Sequence, residues 1–585
     1  MLHTVIQKNN YQDSIVLMLL TNRLLTLDGV NNASVMMGTP ANKDIFKTGG
    51  LYTEEMASAT SNDMVLVLDI ENETLIETVM NEIDSFIADQ GKQADSGNTE
   101  IVKTWDRALE LGEKAGVAVL SIPGTLAASE IERGLSAGKH IFCFSDNVSL
   151  EDEVRLKKLA HEKGLLLMGP DCGTGIINGI PVAFTNAVRE GKIGVVGASG
   201  TGIQEVTTII HKLGEGVTQA IGTGGRDLKE AVGGITMKDS IVVLENDPDT
   251  KVIVVISKPP APNVRDEVLD LLRLGTKPAV TIFLGEKPAD HEENLYRAYT
   301  LEEAAQLAVQ LLRQEPMHSF LEEETKPIFS AKQQKIKGYY SGGTLAYEAA
   351  MLLKAGLKLT EESAYEEGYI LKVDGHEIID LGDDIYTQGK PHPMIDPTKR
   401  IEMMEHAGED PETAIILIDV VLGYGSHSDM ASELAPTIKK LKANAKKEGR
   451  KLEVIATIVG TELDPQNIQE QESILSEAGV ILCQSNTQAV KKALAMLGHP
   501  LPAISRQILP KKETKNLREL PEISQNSQAL LANEGFINIG LRSFAEAIQE
   551  HHGKVIQYDW QPVAGGNITL QKALRFLEQV TLIEK

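Results

Sequence analysis

The turn Gly197-Ala198-Ser199-Gly200-Thr201-Gly202 carries the strongest chemical signal in the chain. It lies between the apolar run 191–198, which reads as a fully buried parallel strand, and the helix-period stretch 204–213. A helix N-terminus exposes unpaired N–H groups and the positive end of its dipole. Small residues let an anion reach that backbone, and hydroxyls add donors. Ser199, Gly200 and Thr201 are therefore the expected phosphate-binding residues. A tight turn in which Ser199 caps the helix uses the same residues. Three better-known motifs fail here. A Walker loop needs Lys where Ile203 stands, a nucleophile elbow needs Gly where Thr201 stands, and the dinucleotide fingerprint is broken after Gly197.

Further clusters follow at predicted strand ends. In Gly222-Thr223-Gly224-Gly225-Arg226-Asp227, Gly224 and Gly225 give backbone access to an anion. Arg226 could hold a substrate carboxylate with two parallel bonds, and an Arg226–Asp227 surface turn is the plain alternative. Gly423, Gly425 and Ser426, ahead of a helix beginning near Met430, form a second candidate anion cradle. Asp383 and Asp384, in a glycine-containing turn, could hold Mg2+ through carboxylates or simply be solvated. His392 stands between Pro391 and Pro393, so a stiff backbone positions it as an acid/base group or phosphoryl carrier, or leaves it a surface histidine. His211 reads as packing or rim, and His551 and His552 as part of a polar loop. Cys172 is a thiol nucleophile or, more plainly, a buried core residue. No His/Cys spacing suggests zinc.

Positioning these groups requires several parallel sheets. Short apolar runs alternate with helical stretches almost throughout, which predicts an α/β chain of Rossmann-like and flavodoxin-like domains. The expected blocks are 1–112, 113–174, 175–313 and 338–496, with a segment 535–585 that has one strand and a closing helix. Polar stretches 314–337 and 500–534 read as linkers, and 88–99 as an exposed loop. The third and fourth blocks look like two versions of one flavodoxin-like unit.

Composition bounds the partners. The 585 residues include 83 acidic and 57 basic ones, a net charge of −26, which disfavours nucleic acid and anionic membranes. Three scattered cysteines fit a reducing cytoplasm. No basic-then-apolar leader and no run of membrane-spanning length is present.

Several motifs together resemble a known family. The stretches 169–174 (GPDCGT), 191–205 (GKIGVVGASGTGIQE), 222–227 (GTGGRD) and 245–258 (ENDPDTKVIVVISK) resemble the α subunit of succinyl-CoA ligases in order and spacing. IDLGDD and VVLGYGSHSD resemble the C-terminal domain of the β subunit. The whole chain is similar to the FdrA family through YQDSIVLMLL, SVMMGTPANK, GKPHPMIDPT, INIGLRSFAEAI and DWQPVAGGN. The resemblance implies a succinyl-CoA synthetase-like fold, with 113–174 as a partial CoA-binding domain. It implies two helix N-termini that meet on phosphate, at Ser199-Gly200-Thr201 and, more loosely, at Gly423–Ser426. The phosphohistidine motif of the ligases has no counterpart, and the glycine-rich turn that holds CoA is missing. The FdrA family is also associated with oxamate carbamoyltransferase, which converts oxalurate and phosphate into oxamate and carbamoyl phosphate without CoA or ATP. On that reading the chain works with other carbamoyltransferase subunits, as an oligomer, on a small anionic substrate. The alternatives are an acyl-CoA ligase that uses CoA, and a non-catalytic scaffold that docks partners through 535–585.

Overall fold

The computed structural model describes residues 2–12, 14–94, 100–316, 327–360, 366, 368–387, 391–501, 504–566, 569–570 and 573–574. Four sheets organise them.

The N-terminal sheet is antiparallel, with Met64–Ile70 between Leu2–Gln7 and Val30–Met37. Helices Ser14–Leu25 and Leu75–Ala94 supply Leu17, Leu20, Leu24 and Ile83 to one face, while Phe46 and Met56 cover the other. Burial on both faces explains the continuous MVLVLDI run, which the sequence pattern alone cannot tell from a parallel strand. The helix continues to Ala94 through the first part of the expected loop 88–99, and residues 95–99 lie outside the described residues.

The second sheet has the strand order Glu100–Val102, Lys554–Tyr558, Gly535–Gly540, Val117–Ser121, His140–Cys143, Leu167–Met168, parallel throughout. This is the 3-2-1-4-5-6 order of a doubly wound sheet, with its first two strands supplied by the end of the chain. The first block therefore ends near residue 99, because Glu100–Val102 and Trp105–Leu111 pack into the second sheet. The expected half-domain is completed by 535–558, which carries two strands, one more than its pattern predicts. Most of the expected closing helix falls outside the described residues.

The third and fourth sheets each contain a flavodoxin-like core. In the third, Val217–Gly222, Glu190–Gly197, Val252–Ser257, Ala279–Phe283 and Leu295–Ala298 run parallel in 2-1-3-4-5 order. Ile508–Leu509 adds an edge strand to this sheet, so the stretch expected as a second linker is partly structural. In the fourth, His376–Asp380, Lys335–Tyr340, Thr413–Val421, Glu453–Val459 and Val480–Cys483 repeat that order. Strand Lys335–Tyr340 begins inside the stretch expected as the first linker. One apolar core runs through both units, from Ile203 and Val206 to Leu345, Ala349 and Leu494. Among the described residues, no helix is long and apolar enough to cross a membrane.

Candidate functional site

In both flavodoxin-like units the strand order reverses beside the first strand, and the turns leaving those strands face each other. Glu190–Gly197 leads into helix Gly200–Lys212. Ser199 is its N-cap and accepts from the Gly202 N–H at 2.9 Å. The Gly200 and Thr201 amides fall in the first turn and have no intrahelical acceptor. Lys335–Tyr340 leads likewise through Ser341-Gly342 into helix Gly343–Leu357. That helix has no side-chain cap, so the Gly343 and Thr344 amides are unpaired within it. The two N-termini touch: Ser199 Oγ lies 2.6 Å from Thr344 Oγ1. A Cβ on Gly342 would stand 2.9 Å from Thr201 Cγ2, so only glycine admits this approach.

The second N-terminus is braced from below. Asp419 accepts from the Ser341 and Gly342 amides, each at 2.8 Å, and its main-chain carbonyl accepts from Arg400 at 2.6 Å. Arg400 is fully buried beneath the turn. Asp380 stands beside it: Oδ1 accepts from the Gly382 N–H at 2.9 Å, and Oδ2 meets the space a Cβ on Gly343 would need. Burial pushes the Asp380 carboxyl up to about 6, against the pull of the Lys258 ammonium and the Gly382 amide.

His392 reaches this neighbourhood, with Nε2 2.8 Å from where a Cβ on Gly382 would stand. Its Nδ1 accepts from the Met394 N–H at 3.3 Å, which leaves the ring proton on Nε2. Burial, reinforced by the Arg400 guanidinium, lowers the imidazole to about 4. It is a neutral hydrogen-bonding group at pH 7 and no reservoir of protons. Gly389 and Lys390, just before it, lie outside the described residues.

The remaining candidates are engaged elsewhere. Arg226 pairs with the buried Glu153 at 2.8 Å and donates to the Val148 carbonyl at 2.8 Å, so much of its fork is satisfied inside the protein. Asp227 is fully buried, where a surface turn was expected. It pairs with buried Lys157 at 2.7 Å and caps helix Ile235–Asn246 through the Met237 amide. Gly224, with a left-handed φ of 85°, packs its backbone on Pro170. Gly225 faces Asp171 Oδ2, an acid rather than open space. The Gly423–Ser426 cradle is closed: the Gly423 amide donates to Gln466 at 2.9 Å and the Tyr424 amide to the Thr185 carbonyl at 3.0 Å. Gly425 lies against the Phe184 ring, and Ser426 Oγ is buried without a partner among the described residues. The following helix Met430–Lys447 is capped by Asp429, a carboxylate where an anion would sit. The matching helix N-terminus is thus the one at Gly343, not the one after Ser426.

Asp383 caps its own short turn through the Ile385 amide at 3.2 Å. Asp384 faces other acids, adding to the charge around Asp146 and Asp171. Among the described residues, no group of three or more His, Cys, Asp or Glu could hold a metal ion. Cys172 is buried and its thiol is pushed well above its ordinary value by that burial, so it is a core thiol. His211 is likewise buried, accepting from the Arg189 amide and contacting Glu462 at 2.8 Å. His551 bonds the Tyr424 hydroxyl at 3.0 Å and ties helix Arg542–Glu550 to the fourth unit.

The arrangement can hold an oxyanion. Two helix dipoles, four first-turn amides (Gly200, Thr201, Gly343, Thr344) and three hydroxyls converge, with Lys258 close by. The Ser341–Thr344 turn is absent from the sequence reading, although its signal, glycines and a hydroxyl after a strand, is that of Ser199–Gly202. A CoA pyrophosphate fits the second sheet poorly. Its first strand turns at Gly540-Leu541-Arg542, with Arg542 where a second glycine would let the backbone approach, and the Leu541 amide already bonded to Ser121 Oγ at 2.7 Å.

Comparison with known proteins adds three family matches: "AllF, heavy metal-associated domain" over residues 1–103, "CoA binding domain" over 188–285 and "CoA-ligase" over 339–496. Residues 1–103 contain no cysteine, so no thiolate is there for a heavy metal. YahF of Escherichia coli K12 is 44% identical over 498 residues, covering 83% of this chain and 96% of that protein. The ADP-forming sulfoacetate-CoA ligase subunit SauD of Bilophila wadsworthia is 28% identical over 193 residues, 32% of this chain and 64% of that one. Among solved structures, an acetyl-coenzyme A synthetase of Ca. Korarchaeum cryptofilum aligns over 66% of this chain and 83% of that chain, with 16% identity and a TM-score of 0.28.

Proposed function

The chain belongs to the FdrA family together with YahF, and from that premise we propose that it is the phosphate-handling subunit of a carbamoyltransferase that converts oxalurate and phosphate into oxamate and carbamoyl phosphate. The observation that carries the reading is the head-to-head meeting of the two glycine-rich helix N-termini at Ser199 and Thr344.

Phosphate would sit on the Gly200, Thr201, Gly343 and Thr344 amides, ringed by the Ser199, Thr201 and Thr344 hydroxyls. One phosphate oxygen attacks the carbamoyl carbon of oxalurate. The C–O bond forms, the C–N bond breaks, and the departing nitrogen takes up a proton to give oxamate. Fixed N–H donors stabilise the charge that gathers on the acyl phosphate without reorganising. The neutral His392 Nε2–H can donate a hydrogen bond to the substrate. Partner subunits would complete the carboxylate site, since Arg226 is engaged within the chain.

Co-purified subunits supplied with oxalurate and phosphate should yield carbamoyl phosphate; no product from any combination would sink the proposal. Ser199→Ala removes one hydroxyl from the anion and one helix cap. The expected result is a 10- to 100-fold rise (roughly) in the KM for phosphate, with a stability loss of only about 1 kcal/mol. An unchanged KM would place phosphate elsewhere. The CoA-ligase match favours an acyl-CoA ligase as the competing reading. Calorimetric titration with CoA separates the two, because the departures at Arg542 and Leu541 predict no saturable heat.

A further inference from the structure

We infer that Asp380 makes the cradle selective for an oxyanion that carries its own proton, favouring phosphate over a fully ionised anion of the same size such as sulfate. The inference rests on the reading of the cradle as a phosphate site and adds what sets its specificity.

The other polar groups at the two helix N-termini can donate, although Ser199 Oγ also accepts from the Gly202 amide. The four first-turn amides donate only, and the hydroxyls of Ser199, Thr201 and Thr344 can rotate to do so. A ring of donors alone would hold sulfate as readily as phosphate. Asp380 is the exception, because an ionised carboxylate only accepts. Its strand, His376–Asp380, runs parallel to Lys335–Tyr340, and this pairing delivers the carboxyl to the turn that starts helix Gly343–Leu357. Oδ1 is used by the Gly382 amide. Oδ2 is directed at Gly343, and among the described residues no hydrogen bond is assigned to it.

The charged and titratable groups around Asp380 leave it an acceptor. Lys258, at the end of strand Val252–Ser257, favours its charge from the facing unit. Asp383 on its own turn and Asp419 beneath oppose it, and Asp419 is already bonded to the Ser341 and Gly342 amides. His392 approaches over Gly382 as a neutral ring. An anion entering this space meets one oxygen with lone pairs among many donors. Phosphate at neutral pH brings an O–H to that oxygen. Sulfate brings only lone pairs, so it enters only once Asp380 has taken up a proton. A site built to accept a hydrogen bond disfavours a ligand unable to give it, here by the cost of that proton uptake.

Calorimetry on the full chain at pH 7 with inorganic phosphate and with sulfate tests the inference. The wild type should bind phosphate about 10-fold more tightly than sulfate, the cost at pH 7 of protonating a carboxyl raised to about 6. Asp380→Asn places a donor where the acceptor stood and should bring the two anions within a few-fold of each other, chiefly by gaining sulfate. Equal binding of the two anions by the wild type, or an unchanged ratio in Asp380→Asn, overturns the inference while leaving the cradle intact. Absence of phosphate binding by the wild type removes the cradle reading and the inference with it. A competition on the wild type alone keeps the test independent of how the variant folds. Arsenate, which carries a proton at pH 7, should displace phosphate, and selenate, which does not, should need about 10-fold more to do so; equal displacement by both overturns the inference.

Discussion

A chain ended at Glu534 loses the fold of residues 100–168, not just a docking arm. Gly535–Gly540 pairs on one side with Val117–Ser121 and on the other with Lys554–Tyr558, which in turn holds Glu100–Val102. Truncation removes two strands from the middle of a six-stranded sheet and leaves Val117–Ser121 with an open edge. It also strips Phe536, Ile537, Ile539, Phe544, Ile548 and Trp560 from two cores. At roughly 2 kcal/mol for each buried side chain, the apolar loss alone matches the 5–15 kcal/mol stability typical of a whole domain. Limited proteolysis should cut the truncated chain within 100–168 while 175–496 stays protected, and the chain should aggregate. Residues 535–585 supplied as a separate chain should restore solubility, because the missing strands are contiguous and need no covalent link at 534. A soluble truncated chain with the parent's digestion pattern would refute this placement. A partner-docking experiment that deletes 535–585 would measure unfolding.

The same topology explains which features the sequence pattern displays. Strand and helix identities in 175–313 and 338–496 follow from runs such as 252–257, all aliphatic apart from Ser257 and buried along their length, and parallel pairing follows from that burial. Ser199–Gly202 is legible because its signal is local: buried strand, small residues, helix. Its partner at Ser341–Thr344 carries a similar signal after KIKGYY, a strand with two lysines and little aliphatic content, adjoining a polar stretch that reads as linker. Gly423–Ser426 attracts attention instead, because it follows the long apolar strand Thr413–Val421. Its amides are consumed by Gln466 and by the Thr185 carbonyl, and no local pattern announces such contacts. The engagement of Arg226 is equally invisible locally, since its partner Glu153 lies on helix Leu150–Glu162. The pairing of the C-terminal strands is hidden by distance along the chain: Ser121 Oγ and the Ile539 carbonyl, near neighbours in one sheet, are 418 positions apart. Closing so long a loop is entropically slow, so the second sheet should be the last unit to fold.

Glu205→Gln should stabilise the protein in alkaline solution and barely change it in acid. Glu205 lies on helix Gly200–Lys212 and Glu348 on helix Gly343–Leu357, behind the cradle, and both are fully buried. Each serves another helix's N-terminus. Glu205 accepts from the Asn486 amide at 2.9 Å, and Glu348 accepts from the Leu301 amide at 2.7 Å and from the Asn486 side chain at 2.8 Å. Burial pushes Glu205 up to about 8, with the Asn486 amide and Lys212 pulling it down and Glu348 and Glu302 pushing it up. Burial likewise pushes Glu348 up to about 7. The folded state therefore holds protons that the unfolded chain, with ordinary carboxyls near 4.5, has released. Stability from this source is complete below pH 4.5, falls as pH rises, and is gone above about 8. The loss from Glu205 alone is roughly 5 kcal/mol across that window. Gln keeps an acceptor for the Asn486 amide and has no charge to bury. Thermal melting of the joined flavodoxin-like units at pH 5 should be close to the parent's. At pH 8.5 the variant's Tm should exceed the parent's by about 5–10 °C, for a unit of this size. Parallel Tm-against-pH curves for the two proteins would show that Glu205 stays ionised in the fold. Glu205 and Glu348, one on each cradle helix, both accept from Asn486, so loss of their protons should reappear as weaker phosphate binding by the parent at high pH.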